Sequence, residues 1–325
     1  MQSESIDKTD YQFLSSRHEE AALIKFRVLF GEFCLLQKDF AGQVIKPDIF
    51  ADSNKLSIEE LSVSDIADLA HVVSAPCDPE HQTGVSVQNK RLIYTYKKFN
   101  RMFVDVSGDY QSYLSTFRKK SLSSLNRKIK KAEKSNTVVD TVRNFSKPSE
   151  VREFVKLAKP ISAQSYQEAQ LGTVFRTDEE WIHELETLAR NNRFRGYVLY
   201  ANDQPVAYNY CPVYGNGVLL YDLSGYLPDS NRYSPGTVLQ AHIIKQSFSD
   251  EAINFYDLCE GEGRHKEQFA TGFKTCFSAY VFPATAYYRA LVAMHRTLDQ
   301  LSDTLVSLLK RLGLKDRIKT YLRRK

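Results

Sequence analysis

The chain has 325 residues, 42% hydrophobic and 26% charged, a balance that belongs to folded globular proteins and excludes disordered or collagen-like chains. Its formal net charge of +5 does not by itself imply nucleic acid. No run of about 18 apolar residues predicts a spanning helix. The five cysteines (Cys34, Cys77, Cys211, Cys259, Cys276) form neither a CxxC pair nor a Cys/His metal pattern, so reduced thiols in a cytoplasm-like compartment are expected.

Residues 1–18 are polar, lack a basic and apolar leader, and are expected to fray. Glu19–Phe40 reads as a buried packing helix with a weak point at Gly31. Short strands are expected at Val44–Phe50 and Lys55–Leu61. A short helix, SDIADLAHVV, follows with Ser64 as its cap and Asp65 and Asp68 in the first turn. Leu92–Tyr96 and Met102–Val106 read as strands paired across Lys98–Arg101.

A long helix is predicted over Tyr110–Lys134, with Tyr110, Tyr113, Leu114, Phe117, Leu122, Leu125, Ile129 and Ala132 on an apolar stripe. Arg118, Lys119, Lys120, Arg127, Lys128, Lys130, Lys131 and Lys134 fall mostly opposite. They form either a solvated basic face or an electropositive rim for a phosphorylated cofactor, a glycan phosphate or an anionic membrane. No helix-turn-helix or aromatic interleaving accompanies them, so nucleic acid is not expected as a partner.

Asn136–Asn144 reads as a strand and Ser146–Lys159 as a helix, with Pro148 near its first position and Pro160 as its stop. Arg176–Arg193 is a helix entered at Thr177 with Glu180 completing a capping box, and Trp181 on its core face. Gly196–Ala201, Val206–Tyr214 and Val218–Tyr226 form an antiparallel meander through Asn202-Asp203 and Gly215-Asn216-Gly217. A helix over Thr237–Phe248 leads to the strand Ile253–Leu258, and a right-handed crossover makes that strand a parallel neighbour of Val218–Tyr226. In the tail, Leu291, Met294, Leu298, Leu301, Leu305, Leu308 and Leu312 trace an a/d seam, followed by a basic segment. That helix docks on its own domain, pairs with a second copy, or lies on a membrane surface.

Ser234-Pro235-Gly236 opening a helix, Phe255-Tyr256-Asp257-Leu258 on the next strand, and Gly261-Glu262-Gly263-Arg264-His265-Lys266 after it resemble one branch of the GNAT superfamily. That branch is the cellulose-biosynthesis (CelD/BcsL-type) acetyltransferases, distantly FemAB-like; the likeness runs over Tyr110–Phe282. It implies an α/β (α+β) fold of tandem GNAT-like halves, each a mixed, mostly antiparallel sheet flanked by helices, plus a C-terminal amphipathic helix. Residues 19–145 would be a degenerate N-terminal half, 146–288 the acyltransferase half and 289–325 the basic helical tail.

The resemblance also implies acetyl-CoA or another acyl-CoA as co-substrate, no metal, and a saccharide or amino-sugar acceptor in exopolysaccharide biosynthesis. The setting would be the cytoplasm or the inner face of its membrane. Two positions depart from the family. Arg232-Tyr233-Ser234-Pro235-Gly236-Thr237 keeps the Arg of the phosphate turn Q/R-x-x-G-x-G/A but puts Pro235 in a glycine's place, and His265 stands where tyrosine precedes Lys266. The altered turn keeps open a non-catalytic assembly factor, and the doubled fold a FemAB-like aminoacyl transferase.

A helix starting at Ser234-Pro235-Gly236-Thr237 leaves backbone N–H groups without intrahelical acceptors, which favours a pyrophosphate. The cofactor-binding candidates are Arg232, Ser234, Pro235, Gly236, Thr237 and Lys266. Direct attack on a thioester needs a base for the acceptor's proton and an acid for the departing thiolate. Asp257 and Asp222, inside apolar strands, are the first candidates for the base, with Glu260 third. Asp257 has an alternative role as a structural carboxylate that pairs with Lys266 or caps the following loop. Tyr226 and Tyr256 are the candidate acids. His242 and His265 read as incidental, and Cys259 lacks the partners of a nucleophile.

Overall fold

The computed structural model describes residues 19–30, 33–50, 69–165, 175–260 and 263–311. The chain divides into two units, one of Arg17–Phe99 with Thr275–Lys325 and one centred on Asn100–Lys274.

In the first unit, β1 (Glu19–Phe30) and β2 (Phe33–Ile45) form an antiparallel hairpin where apolar content predicts a helix over Glu19–Phe40. Ile24 and Phe26, two apart and both buried, show the alternation that outweighs the segment's helical propensity. β2 pairs in parallel with β3 (Ala70–Pro76), which occupies the described end of the predicted SDIADLAHVV helix. The rest of that helix and the expected strand Lys55–Leu61 lie outside the described residues. β4 (Gly84–Gln88) pairs with β5, one continuous strand (Arg91–Asp105) rather than two joined by a turn. β12 (Gly272–Pro283) pairs antiparallel with β3. Helix α7 (Ala286–Arg311) closes the unit: Leu291 and Val292 are buried, whereas Leu301, Leu305 and Leu308 are exposed.

The second unit starts with two helices where one was expected, α1 (Tyr110–Ser115) and α2 (Lys119–Glu133). Ser115 and Thr116 hydroxyls bond back to the carbonyls of Ser112 and Tyr113, which ends α1. The predicted apolar stripe nevertheless packs into one core with Tyr113, Leu125 and Ala132 buried, except for Leu122, which lies outside it. β6 (Val142–Phe145) is shorter than the predicted strand. A 3-10 turn at Pro148–Glu150 feeds α3 (Val151–Ala163), which runs through Pro160. Burial of Ile161 and Ser162 in its last turn outweighs the hydrogen bond that proline cannot make. α4 (Glu179–Arg190) is capped by Asp178 instead of Thr177, with Oδ1 accepting from the Trp181 N–H at 3.0 Å.

The meander is present as β7 (Phe194–Ala201) and β8 (Gln204–Tyr214), joined by Asn202-Asp203, both at positive φ. What reads as one strand after it is two, β9 (Val218–Leu220) and β10 (Leu223–Tyr226). A 3-10 helix, Pro228–Tyr233, leads into α5 (Pro235–Ser247), followed by β11 (Phe255–Asp257) and α6 (Arg264–Phe269). β11 lies parallel to β9, as the crossover rule predicts, and antiparallel to the end of β5. One core lies under α1, α2 and α5, and a second, built around Phe154, Phe175 and Trp181, lies under α3 and α4.

Candidate active site

β9 and β11 stay paired only from Val218 opposite Phe255 to Leu220 opposite Asp257. Two further links hold the fork at its base: the Tyr221 N–H donates to the Asp257 carbonyl at 2.9 Å, and Cys259 Sγ donates to the Tyr221 carbonyl at 3.0 Å. Beyond them β10 continues on β8 alone, while the chain after Asp257 turns away. The Leu227 N–H donates to the Val206 carbonyl on the β8 side. By strand alternation Gly225 and Leu223 face the same way, and Tyr226 turns its backbone groups to the opened edge. Gly225 permits this close course, since a Cβ there would lie 2.7 Å from Tyr208 Cε1 and 3.1 Å from Ser165 Cβ.

At the end of β10 the chain tightens into a left-handed turn at Ser234 (φ 54, ψ 51), which is the N-cap of α5. Pro235 takes the first helical position, where a missing N–H costs nothing. The proline that departs from the family's phosphate turn therefore serves as the helix starter, and the glycine follows it. The Val238 N–H closes onto the Ser234 carbonyl at 3.1 Å, leaving the N–H groups of Gly236 and Thr237 ahead of the helical ladder. Gly236 is exposed, and a Cβ built on it would meet nothing within 4 Å, so a ligand can approach the backbone there. Arg232 is also exposed, its guanidinium 4.8 Å from the Tyr233 ring centre.

Asp257 is fully buried and fully engaged. Arg101 Nε donates to both its oxygens, at 3.0 and 2.9 Å, and Arg101 Nη2 to Oδ2 at 2.5 Å. The Tyr214 hydroxyl donates to Oδ2 at 2.9 Å and the Cys259 N–H to Oδ1 at 2.8 Å. Burial works against the Arg101 charge, but Asp257 more than restores it and raises the guanidinium pKa well above its usual value. Burial and the Asp257 charge together push the Tyr214 hydroxyl well up, so it remains a donor. The carboxylate thus takes the structural course of the two considered from the sequence, with Arg101 as its partner instead of Lys266. Lys266 is buried and donates to the Glu260 carbonyl at 2.5 Å, stapling the loop after β11.

Asp222 lies buried between β9 and β10, where the fork opens. After burial itself, its charge is the largest cause that raises Tyr210 and Cys211. Half-buried Tyr226 ends β10, and half-buried Glu260 follows Cys259, itself at φ 61. The Tyr256 hydroxyl is sealed in the core beside Cys211, so it cannot deliver a proton to a cleft. Asp222, Tyr226 and Glu260 thus lie on the segments that border the fork, whereas Asp257 and Tyr256 are fully buried in the core. Arg101 and Tyr214 carry no local signal, because Arg101 lies 156 residues from its partner in a stretch that reads as a turn.

A groove of about 1060 Å³ adjoins the α5 turn, lined by Lys119, Arg127, Lys130, Lys131, Lys134 and Tyr233 among others. Its walls are fastened together. The Tyr233 hydroxyl donates to Asn202 Oδ1 at 2.9 Å, and the Asn202 N–H to Ser135 Oγ at 3.2 Å. Asp203 accepts from the Thr137 hydroxyl at 2.6 Å and from the N–H groups of Thr137 and Val138, and these donors push its carboxyl down to about 2. Among the described residues no cluster of His, Cys, Asp and Glu is arranged to hold a metal ion, and no helix is long and apolar enough to cross a membrane.

Residues 119–267 match a family described as acetyltransferase (GNAT) domain. No curated protein matches the chain. Among solved structures, FemX is similar over 83% of this chain and 90% of its own, at 9% identity and a TM-score of 0.48. L-PGS from Bacillus licheniformis is similar over 70% and 72%, at 14% identity and a TM-score of 0.42. A GCN5-related N-acetyltransferase from Kribbella flavida covers 58% and 59%, at 10% identity and a TM-score of 0.32. Scores and identities this low describe a likeness in the course of the backbone and say nothing about chemistry. The forked strands and the left-handed turn both fall inside residues 119–267, the segment in which the chain is similar to GNAT acetyltransferase domains.

Proposed function

We propose that the protein transfers an acyl group, acetyl in the simplest case, from acyl-CoA to an amine or hydroxyl of a sugar or glycan precursor. The observation that carries this reading is the fork of β9 and β11 beside the exposed start of α5. An extended pantetheine arm can add to the β10 edge by backbone hydrogen bonds, and the pyrophosphate can take the N–H groups of Gly236 and Thr237, with Arg232 nearby. The acceptor's heteroatom attacks the thioester carbonyl, and the resulting oxyanion collapses with loss of the CoA thiolate. Asp222 takes the acceptor's proton, with Glu260 as the second candidate, and Tyr226 supplies a proton to the thiolate. Asp257 and Lys266 act as positioning residues: the first locks β11 to β5 and β8, and the second fixes the loop that carries Glu260.

In this reading the protein works in exopolysaccharide synthesis on the cytoplasmic side, and the exposed part of α7 pairs with a second copy. The test is release of free thiol from acetyl-CoA by the purified protein with a panel of amino sugars and neutral sugars. Release that requires the saccharide supports the reading. Thiol release that no saccharide stimulates contradicts the acceptor class.

A further inference from the structure

Several arginines elsewhere in the Asn100–Lys274 unit find carboxylates: Arg143 with Glu153, Arg152 with Glu179, Arg195 with Asp250. The cations of the α2 groove do not. Among the described residues, Lys119, Arg127, Lys130 and Lys134 are paired with no acid, and Lys131 only lies 5.9 Å from the Tyr233 ring centre. No acidic side chain lines the groove. Uncompensated like charges on one helix repel each other, so the groove is left waiting for an anion.

Three features narrow the anion. The groove is rigid, because Asp203 and Asn202 rivet the end of α2 to the β7–β8 turn and to Tyr233. It is an open groove of about 1060 Å³, close to the range of small-molecule sites. It begins at Tyr233, the residue before the Ser234 turn, and follows α2 for 15 residues, roughly 22 Å. A pyrophosphate seated on Gly236 and Thr237 would leave these cations unused.

We propose that this groove seats the phosphorylated nucleoside end of the acyl donor, an adenosine carrying a 3′-phosphate as well as its diphosphate; this rests on the acyl-CoA reading above. α2 then supplies part of the donor site from outside the α5 turn. Selectivity for the 3′-phosphate comes from Lys130, Lys131 and Lys134, and the shorter pyrophosphate contact from α5.

The test is calorimetric titration of the full chain with CoA, 3′-dephospho-CoA and adenosine 3′,5′-bisphosphate at low and high salt. The wild type is compared with Lys130→Gln/Lys131→Gln/Lys134→Gln and with a Lys120→Gln/Lys128→Gln control outside the groove lining. CoA should bind the wild type about tenfold more tightly than dephospho-CoA, and the triple variant should lose that difference while the control keeps it. The bisphosphate should bind the wild type and weaken as salt rises. CoA binding that is equal in the wild type and the triple variant overturns the groove while leaving the acyl-CoA reading standing. No CoA binding by either protein overturns the reading itself. Tight binding of a random RNA oligonucleotide with no preference for CoA over dephospho-CoA shows that the groove serves a nucleic acid and sinks the proposal.

Discussion

Arg101 and Asp257 stand 156 residues apart and meet through three donor–acceptor contacts, with the carboxylate wholly buried and the guanidinium side chain only 11% exposed. The pair ties the end of β5 to β11 at the base of the fork, and Tyr214 adds β8 to the same knot. Replacing one member should cost more than replacing both. Asp257→Leu leaves a buried cation alone and should destabilise the chain by about 3–5 kcal/mol. Asp257→Leu with Arg101→Met should recover a large part of that loss. Urea midpoints of the wild type, the single and the double variant decide it; a double variant no more stable than the single one contradicts the account.

Asp222 is the carboxylate left at the fork once Asp257 is committed to Arg101. Asp222→Asn should lower kcat by about 10²–10⁴ with KM for acetyl-CoA little changed, and should remove the acid limb of the pH–rate profile. Glu260→Gln should keep the limb. If instead Glu260→Gln abolishes it and Asp222→Asn does not, the base is Glu260.

His242 on α5 is held neutral: burial, helped by Lys245, pushes its pKa from 6.5 down to about 4. Its Nε2 lies 3.1 Å from Asn144 Oδ1. The unfolded chain takes up a proton near 6.5 that the folded chain refuses, so this contribution to stability is complete above that pH and falls as pH drops toward 4. Asp203 acts lower, because its depressed carboxyl supports the fold above about 3.8 and is lost toward about 2. Thermal midpoints between pH 7 and pH 4.5 should therefore slope downward in the wild type, and less so in His242→Gln.

The seam on α7 is split. Leu291 docks on its own unit, whereas Leu301 and Leu305 are 54% and 39% exposed. Leu301→Arg with Leu305→Arg should convert a dimeric parent to monomers in sedimentation, with little change in the thermal midpoint. An unchanged mass from a dimeric parent removes the seam as a contact between copies.

Local signals carried much of the second unit. Asn202-Asp203, Pro148, the spacing in α4 and the strand–helix–strand crossover all depend on neighbours a few residues away, and each appears where the residues put it. The β1–β2 hairpin was hidden because EEAALIKF favours a helix by propensity, while its strand form is fixed by pairing such as Ile24 opposite Phe40. The division of Val218–Tyr226 was equally hidden: Tyr221 and Asp222 look like ordinary strand residues, and only the departure of β11 turns them into the fork. Within the site, the turn at Ser234–Gly236 was legible from three consecutive residues. The partner of Asp257 was not, since it comes from a distant strand.

The central claim is that the start of α5 holds the pyrophosphate of an acyl-CoA, and heat stabilisation by free CoA tests it most directly. At a concentration about 100 times its Kd, a ligand specific for the folded state adds about 2.7 kcal/mol. The wild-type midpoint should then rise by about 3 °C or more. In Gly236→Glu a carboxylate occupies the open space before the helix, so the rise should vanish while the midpoint without CoA stays near the wild type. A wild-type midpoint that does not move at millimolar CoA, or an equal rise in Gly236→Glu, would contradict it.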